Sequence, residues 1–379
     1  MSVRILVLGA SFAGLGAARE LRRQLPSPDV HIAVVDERDQ FVFRPSLPWI
    51  VFGQRRPEEI RAPLPPLLNR WGVQFLQDTV EAVEPREQRV VGRRGRYRYD
   101  VLLIALGATS PAALPPHLGR WGYHPLWDDG AVALHRALEQ FCGGGAVVAL
   151  CPNCPLACPA YEMVFHLDRA LRLRGLRSRT RIVMVTYEEA PFMAGGPAAS
   201  GIIARWLRER HIEVRTSTFV EDAGPGYAVL PGGERLPASL LIYLPAFQGA
   251  PAVRTAPWLT DGDGFVIVDR SLRAVDFPNI FAAGDIVAFP GPKNGRMAAI
   301  QGKVAARNIA ALMGRGQPAP YSSHLACLLD LGGNRGVAAV RKPSPGQGRT
   351  RTFFIWPGWL PRLAKMGLEA YYTRARLRG

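Results

Sequence analysis

The chain opens on a fully apolar run, Ile5–Leu8, followed by the turn Gly9-Ala10-Ser11-Phe12-Ala13-Gly14 and a segment with Leu15, Ala18 and Leu21 on one helical face. A second apolar run, Ile32–Val35, ends in Asp36-Glu37. Short runs without polar alternation are strands covered on both faces, and a helical period between two of them predicts a βαβ unit. The turn carries chemistry. Gly9 permits the tight bend and Gly14 close helix–strand packing, and the helix N-terminus offers unpaired N–H groups and a positive dipole end to a pyrophosphate. Asp36, with Glu37 beside it, ends the second strand, where a carboxylate accepts ribose hydroxyls. Ser11 stands where such turns usually have a middle glycine. The context predicts dinucleotide binding.

A second unit begins near Gly145. Ala146–Leu150 reads as a strand, a helix is expected from about Tyr161 to Arg174, and Ile182–Thr186 as the next strand. Its turn lacks glycine: Cys151-Pro152-Asn153-Cys154-Pro155-Leu156-Ala157-Cys158-Pro159. Proline removes N–H donors that a pyrophosphate needs. The unit therefore has the architecture of a nicotinamide domain with thiols in place of its phosphate cradle. Three readings of Cys151, Cys154 and Cys158 stand side by side: a redox dithiol, a metal or iron–sulfur site with Cys327 as fourth ligand, or inert packing. The spacing fits neither the usual zinc ribbon nor the usual ferredoxin run, and no metal is assigned. The dipole of a helix starting near Pro159 favours the thiolate at Cys158. Cys142, before Gly143, reads as an ordinary small residue.

Further strands are Tyr99–Ile104, running into Ala105-Leu106-Gly107, and Asn279–Ala283, closed by Gly284-Asp285 before a helical stretch from Met297 to Met313. Strand-rich excursions are expected between Arg70 and Arg98, including a run from Val80, and between Val214 and Pro237.

Charge changes the picture late in the chain. Lys+Arg number 47 against 31 Asp+Glu, a formal net charge of +16. From Arg341 to Gly379 there are nine basic residues and one acid, Glu369. That excess is either arginine-biased coding or a mark of an anionic partner. No nucleic-acid motif accompanies it, so no nucleic-acid partner is assigned. Phe353-Phe354-Ile355-Trp356-Pro357-Gly358-Trp359-Leu360-Pro361 is apolar and aromatic. A helix-compatible stretch follows to Arg378, with Trp359, Leu360, Leu363, Met366 and Tyr371 at helical spacing and Arg362, Lys365, Arg374, Arg376 and Arg378 among and after them. Such an element suits an anionic bilayer interface. A core-packing or dimer-contact tail is the bland alternative. No apolar run reaches the length of a membrane span. With no targeting segment expected at the start, the protein is placed on the cytoplasmic side of the cell membrane, peripherally, with homo-oligomerisation left open.

These features resemble the two-dinucleotide-binding-domain flavoproteins, and among them the sulfide:quinone oxidoreductase family. Its relatives include the flavocytochrome c sulfide dehydrogenase flavin subunit and type II NADH dehydrogenase. The resemblance rests on the Gly9–Leu15 turn, Arg44-Pro45-Ser46-Leu47-Pro48-Trp49, Cys154 to Glu162, Tyr243 to Phe247, Phe281-Ala-Ala-Gly-Asp285, Pro292-Lys293-Asn294-Gly295 and Cys327 before a glycine turn. It implies an α/β fold of two Rossmann-like domains, an FAD domain with an inserted NAD-type domain lacking its glycine cradle, plus a C-terminal membrane-associating region. The expected divisions are 1–110 and 241–315 for FAD, 111–240 for the inserted domain and 316–379 for the flavin-capping end.

The resemblance further implies FAD held by Gly9, Ser11, Phe12, Ala13, Gly14, Asp36, Glu37, Arg44, Val80, Ala105, Gly107, Gly284 and Asp285. It implies that Cys327 pairs with Cys154 or Cys158. Beside that pair, Glu162 reads as a dipole partner or a proton carrier, Lys293 as a charge beside the flavin or a solvated lysine, and His324 as a structural histidine or a proton acceptor. The implied activity is oxidation of sulfide to persulfide or polysulfide sulfur, with electrons passed to a membrane quinone. Type II NADH:quinone oxidoreductase and a non-catalytic flavin/thiol redox sensor are the alternatives.

Overall fold

The computed structural model of the chain describes residues 2–110, 116–289, 291, 293–323, 325–333, 335–343 and 350–375. Two parallel sheets form its frame. The first has five strands in the order Ile280–Ala282, Val101–Ile104, Val3–Leu8, Val30–Asp36, Gln74–Gln77. Ile5 lies opposite Ile32 on one side, and Leu8 opposite Ile104 on the other. The second sheet has four strands, Glu213–Arg215, Thr180–Thr186, Gly144–Leu150 and Leu240–Leu244. The apolar runs lie at the centre of both because helices and loops cover the two faces, as parallel sheets require. The first antiparallel excursion, Val80–Glu84, Arg89–Gly92 and Arg96–Arg98, packs Val83 and Val90 into the core on one face of the first sheet. The strand containing Val214 joins the second parallel sheet, and only Asp222–Pro237 forms the small antiparallel excursion.

Close packing fixes the first layer. The helix Phe12–Gln24 lies against the helix Gly295–Leu312, which meets it through glycine. A Cβ at Gly302 would run into the Ala13 carbonyl, and one at Gly14 into the Gly9 carbonyl. The later helix starts two residues before the expected Met297 because the Asn294 side chain caps it, accepting the Met297 N–H at 3.0 Å. The helix of the second unit starts at Cys158, not near Tyr161; Pro159 sits in its first turn, where a missing N–H costs nothing.

The end of the chain adds three antiparallel strands, Leu325–Asp330, Gly336–Pro343 and Thr350–Gly358, and then a helix, Leu360–Ala370. That helix is amphipathic in the inverse sense. Its inward positions Pro361, Lys365 and Glu369 are buried, while Trp359, Leu360, Leu363, Met366 and Leu368 are exposed, Trp359 at 59%. Lys365 therefore does not belong to a basic outer face, as its sequence position suggested. Its Nζ donates to both Glu162 oxygens at 2.8 Å. Glu369 accepts from Ser46 Oγ at 2.5 Å and Arg55 Nε at 2.9 Å. Arg362 is also drawn inward, to Gln54 Oε1 at 3.1 Å. Tyr372 then stacks on Phe41 and Phe43 and meets Phe12 edge-on at 5.0 Å. Arg376 and Arg378 lie outside the described residues.

The glycine contact gives a direct test. Gly302→Ala gains about 1 kcal/mol of helix propensity but overpacks the helix pair, which costs about 1–3 kcal/mol. The expected outcome is a lower thermal midpoint and weaker FAD retention. Gly201→Ala, in the helix Pro197–Glu209 with open space at its Cβ position, is expected to raise the midpoint. Scanning calorimetry at one scan rate separates the two; equal shifts would contradict the packing argument.

Candidate active site

The dinucleotide turn is built as the sequence required. Gly9 has φ +95°, and its missing Cβ makes room for the Ala105 carbonyl. Ala105 is fixed there by donating its N–H to Leu8 O at 2.7 Å. Gly107 also has positive φ, with open space around it. Ser11 stands at the helix N-cap without a side-chain cap bond, which leaves the first-turn N–H groups for a ligand. Phe12 and Ala13 are buried behind that turn. Asp36 accepts the Ala10 N–H at 2.7 Å and the Arg38 N–H at 2.9 Å. Burial pushes its carboxyl up, against these hydrogen bonds and the Arg38 charge. Hydroxyl donors would relieve that. Glu37 is exposed and paired with Arg38, while the Asp78 N–H on Asp36 O brings the strand from Val80 to the same edge.

Gly284, φ +88°, closes the site from the other strand and donates its N–H to Gln301 Oε1 at 2.6 Å. Burial pushes the next residue, Asp285, up, opposed by the charges of Lys293 and Arg44. Burial likewise pulls Arg44 down, and Asp285, Asp128 and Asp36 oppose it. Lys293 Nζ is held on backbone, donating to Asp285 O at 2.9 Å and Val287 O at 2.7 Å. Burial lowers it to about 8. A glycine cradle, free helix-start donors, a desolvated acid at the strand end and a second acid beside Gly284 together fit FAD. The chemistry FAD supplies is two-electron transfer.

The thiols assemble at the carboxyl edge of the second sheet. Cys158 and Cys327 form a disulfide, joining the first residue of the helix Cys158–Leu173 to the strand Leu325–Asp330. Cys151 and Cys154 are free and buried; Cys142 is free and exposed. Among the described residues no group of three or more His, Cys, Asp or Glu side chains is placed to hold a metal.

One helical turn beyond the disulfide lies a buried polar cluster that sequence reasoning saw only in part. Glu162 pairs with Lys365 and accepts the Asp330 N–H at 2.7 Å. Burial pushes its carboxyl up, opposed by the Lys365 charge. Trp49 Nε1 donates to Asp330 Oδ2 at 2.6 Å, and His166 Nε2 lies 3.4 Å from the same oxygen. Burial opposes ionisation of Asp330, yet the neighbouring His166 and the hydrogen bonds from Trp49 Nε1 and the Gly332 N–H hold it well below the carboxylate range. The spacing of Cys158, Glu162 and His166 at four-residue steps puts all three on one helix face, the one signal that could have found His166. Nothing local marks Lys365 as their partner. His324 lies outside the described residues.

The acid after the next strand of the same domain is already engaged by the protein. Glu188 follows the strand Thr180–Thr186 where a ribose-binding acid would stand. It accepts instead from Tyr161 OH at 2.5 Å and from the Met193 N–H at 2.9 Å. The loop after the strand is folded down on the acid.

Comparisons with known proteins agree with this architecture. The family model described as pyridine nucleotide-disulphide oxidoreductase matches residues 3–306. The chain is 28% identical to a sulfide-quinone reductase of Aquifex aeolicus, over 99% of this chain and 89% of that one. It is 30% identical to an NADH dehydrogenase-like protein of Mycobacterium tuberculosis, over 75% of this chain and 73% of that one. The X-ray structure of the sulfide:quinone oxidoreductase from Aquifex aeolicus shares the fold with a TM-score of 0.90 at 24% identity, covering 98% of this chain and 90% of that one. An NAD-dependent persulfide reductase from A. fulgidus has a TM-score of 0.71 at 20% identity, with 89% and 64% covered. The chain belongs to the pyridine nucleotide-disulphide oxidoreductase family, as an FAD-binding flavoprotein enzyme similar to sulfide-quinone reductase.

Proposed function

We propose that the protein oxidises sulfide at the Cys158–Cys327 disulfide and passes the electrons through FAD to a quinone in an anionic membrane surface. The observation that carries this reading is the disulfide itself, at the sheet edge where a pyrophosphate cradle would otherwise be. Hydrosulfide attacks one sulfur, the S–S bond breaks, one cysteine carries the persulfide and the other leaves as a thiolate holding the electron pair. A second hydrosulfide attacking the outer persulfide sulfur releases hydrogen disulfide and frees the cysteine as a thiolate; the two thiolates return to the disulfide by giving up the electron pair that FAD would accept. Glu162, desolvated and paired with Lys365, is suited to take up the proton released as sulfide reacts. Lys293, held beside Asp285, supplies positive charge at the cofactor side of the site.

Two features favour this over reduction by NADH: the second-domain turn has proline and cysteine in place of glycine, and Glu188 is occupied by Tyr161 and the loop backbone. Steady turnover with sulfide and a quinone would exclude a non-catalytic sensor. Under this reading Cys327→Ser retains FAD, but its flavin reduction by sulfide slows on the order of 100-fold or more, because removing a covalent nucleophile costs far more than removing a positioning group. Stopped-flow absorbance checks it, and wild-type rates in Cys327→Ser would overturn the dithiol chemistry.

The inverted terminal helix supports the membrane assignment. Its outer face of Trp359, Leu360, Leu363 and Met366 offers apolar area to a lipid interface, and among the described residues no helix is long and apolar enough to cross a membrane. Deleting the tail would strip Glu162 of Lys365, so outward substitutions test docking more cleanly. Leu363→Glu with Met366→Glu is expected to release the protein from anionic vesicles in a flotation assay while sulfide-driven flavin reduction stays near the wild-type rate. Undiminished vesicle binding would contradict the assignment.

A further inference from the structure

Three cysteines remain unused by this chemistry, and the placement of two of them, Cys151 and Cys154, is specific. Cys151-Pro152-Asn153-Cys154 is a tight turn at the end of the strand Gly144–Leu150, closed by the Cys154 N–H on Cys151 O at 3.2 Å. Asn153 has φ +58°. Proline in the second position and a left-handed asparagine in the third are the residues such a turn favours, and it holds its first and last Cα atoms within about 7 Å. Disulfides bridge Cα separations up to about 6.8 Å. The turn is steadied by the Tyr187 hydroxyl, which donates to Cys154 O at 3.2 Å. Cys154 packs in the same apolar core as Cys327, with Cys158 against it, whereas Cys151 packs in the core on the other side of the sheet.

We propose that Cys151 and Cys154 form a second dithiol site that exchanges with the Cys158–Cys327 disulfide. The step balances without outside help. The Cys154 thiolate attacks Cys158 Sγ; a Cys154–Cys158 bond forms, the Cys158–Cys327 bond breaks, and Cys327 leaves as a thiolate that takes the proton Cys154 gave up. The Cys151 thiolate then attacks Cys154 Sγ, forming Cys151–Cys154 and releasing Cys158, which takes the proton from Cys151. Two electrons have passed from the turn to the former disulfide. Run backwards, the oxidised turn restores the Cys158–Cys327 bond. Burial pushes both free thiols up to about 12, so they rest protonated in the state described here. The site is a two-electron store that buffers the state of the pair on which the proposed sulfide chemistry depends.

The test uses the FAD-loaded full chain and neither sulfide nor quinone, so it succeeds or fails separately from the sulfide reading. The protein is equilibrated anaerobically in lipoate/dihydrolipoate buffers of stepped potential, quenched with N-ethylmaleimide and read by peptide mass spectrometry. Cys151 and Cys154 should lose label together as the buffer becomes oxidising, as one two-electron step. Cys151→Ser should trap a Cys154–Cys158 linked peptide that is absent from Cys154→Ser; retained FAD absorbance confirms that each variant is folded. If wild-type Cys151 and Cys154 stay fully labelled at every potential, including those at which Cys158–Cys327 is fully oxidised, there is no second site. If they lose label but Cys151→Ser traps no linked peptide, the exchange route is wrong.

Discussion

The helix beginning at Cys158 is tied to the strand Leu325–Asp330 at two points: the disulfide to Cys327, and Glu162, which takes the Asp330 N–H. The rest of the arrangement depends on that double tie. It brings a strand from beyond the second half of the cofactor domain onto the mouth of the inserted domain. It also buries a carboxylate that needs a cation. Lys365 supplies it, and in doing so turns the terminal helix so that its charged side faces the protein. Removing one member of such a buried pair costs about 3–5 kcal/mol. The outward apolar face is thus a consequence of an internal electrostatic demand, and a lipid surface is the environment in which that face costs least.

The site joins two economies of the same fold. The first βαβ unit keeps its glycine turn, strand-end acid and open helix start. The second keeps only the strand and helix. Its turn holds thiols, and its strand-end acid is committed to Tyr161 and the Met193 N–H. Under the proposed function, the thiols stand where a nucleotide-binding domain would hold its pyrophosphate. The helix start that would have faced a pyrophosphate now carries Cys158 at its first position.

Much of this was legible in the chain. Apolar runs marked the central strands of both sheets, because strands covered on two faces leave little choice of residue. The glycine turn and Asp36 were readable because a phosphate cradle constrains backbone and side chain together. The thiol turn was readable from what it lacked. What escaped was long-range and polar. The pairing of Cys158 rather than Cys154 depends on where Cys327 is delivered by three antiparallel strands. Lys365 looked like one more basic residue in a basic tail, since a sequence shows spacing and not which face is inward. His166 and Asp330 meet only in three dimensions.

The central claim is that electrons enter through the disulfide and not through a nicotinamide. Its most direct test is to mix the anaerobic FAD-loaded protein with sulfide in one syringe and NADH in another, following flavin absorbance. The account expects rapid bleaching by sulfide, recovery on adding a quinone, and no comparable bleaching by NADH. Rapid bleaching by NADH with sulfide inert would contradict it.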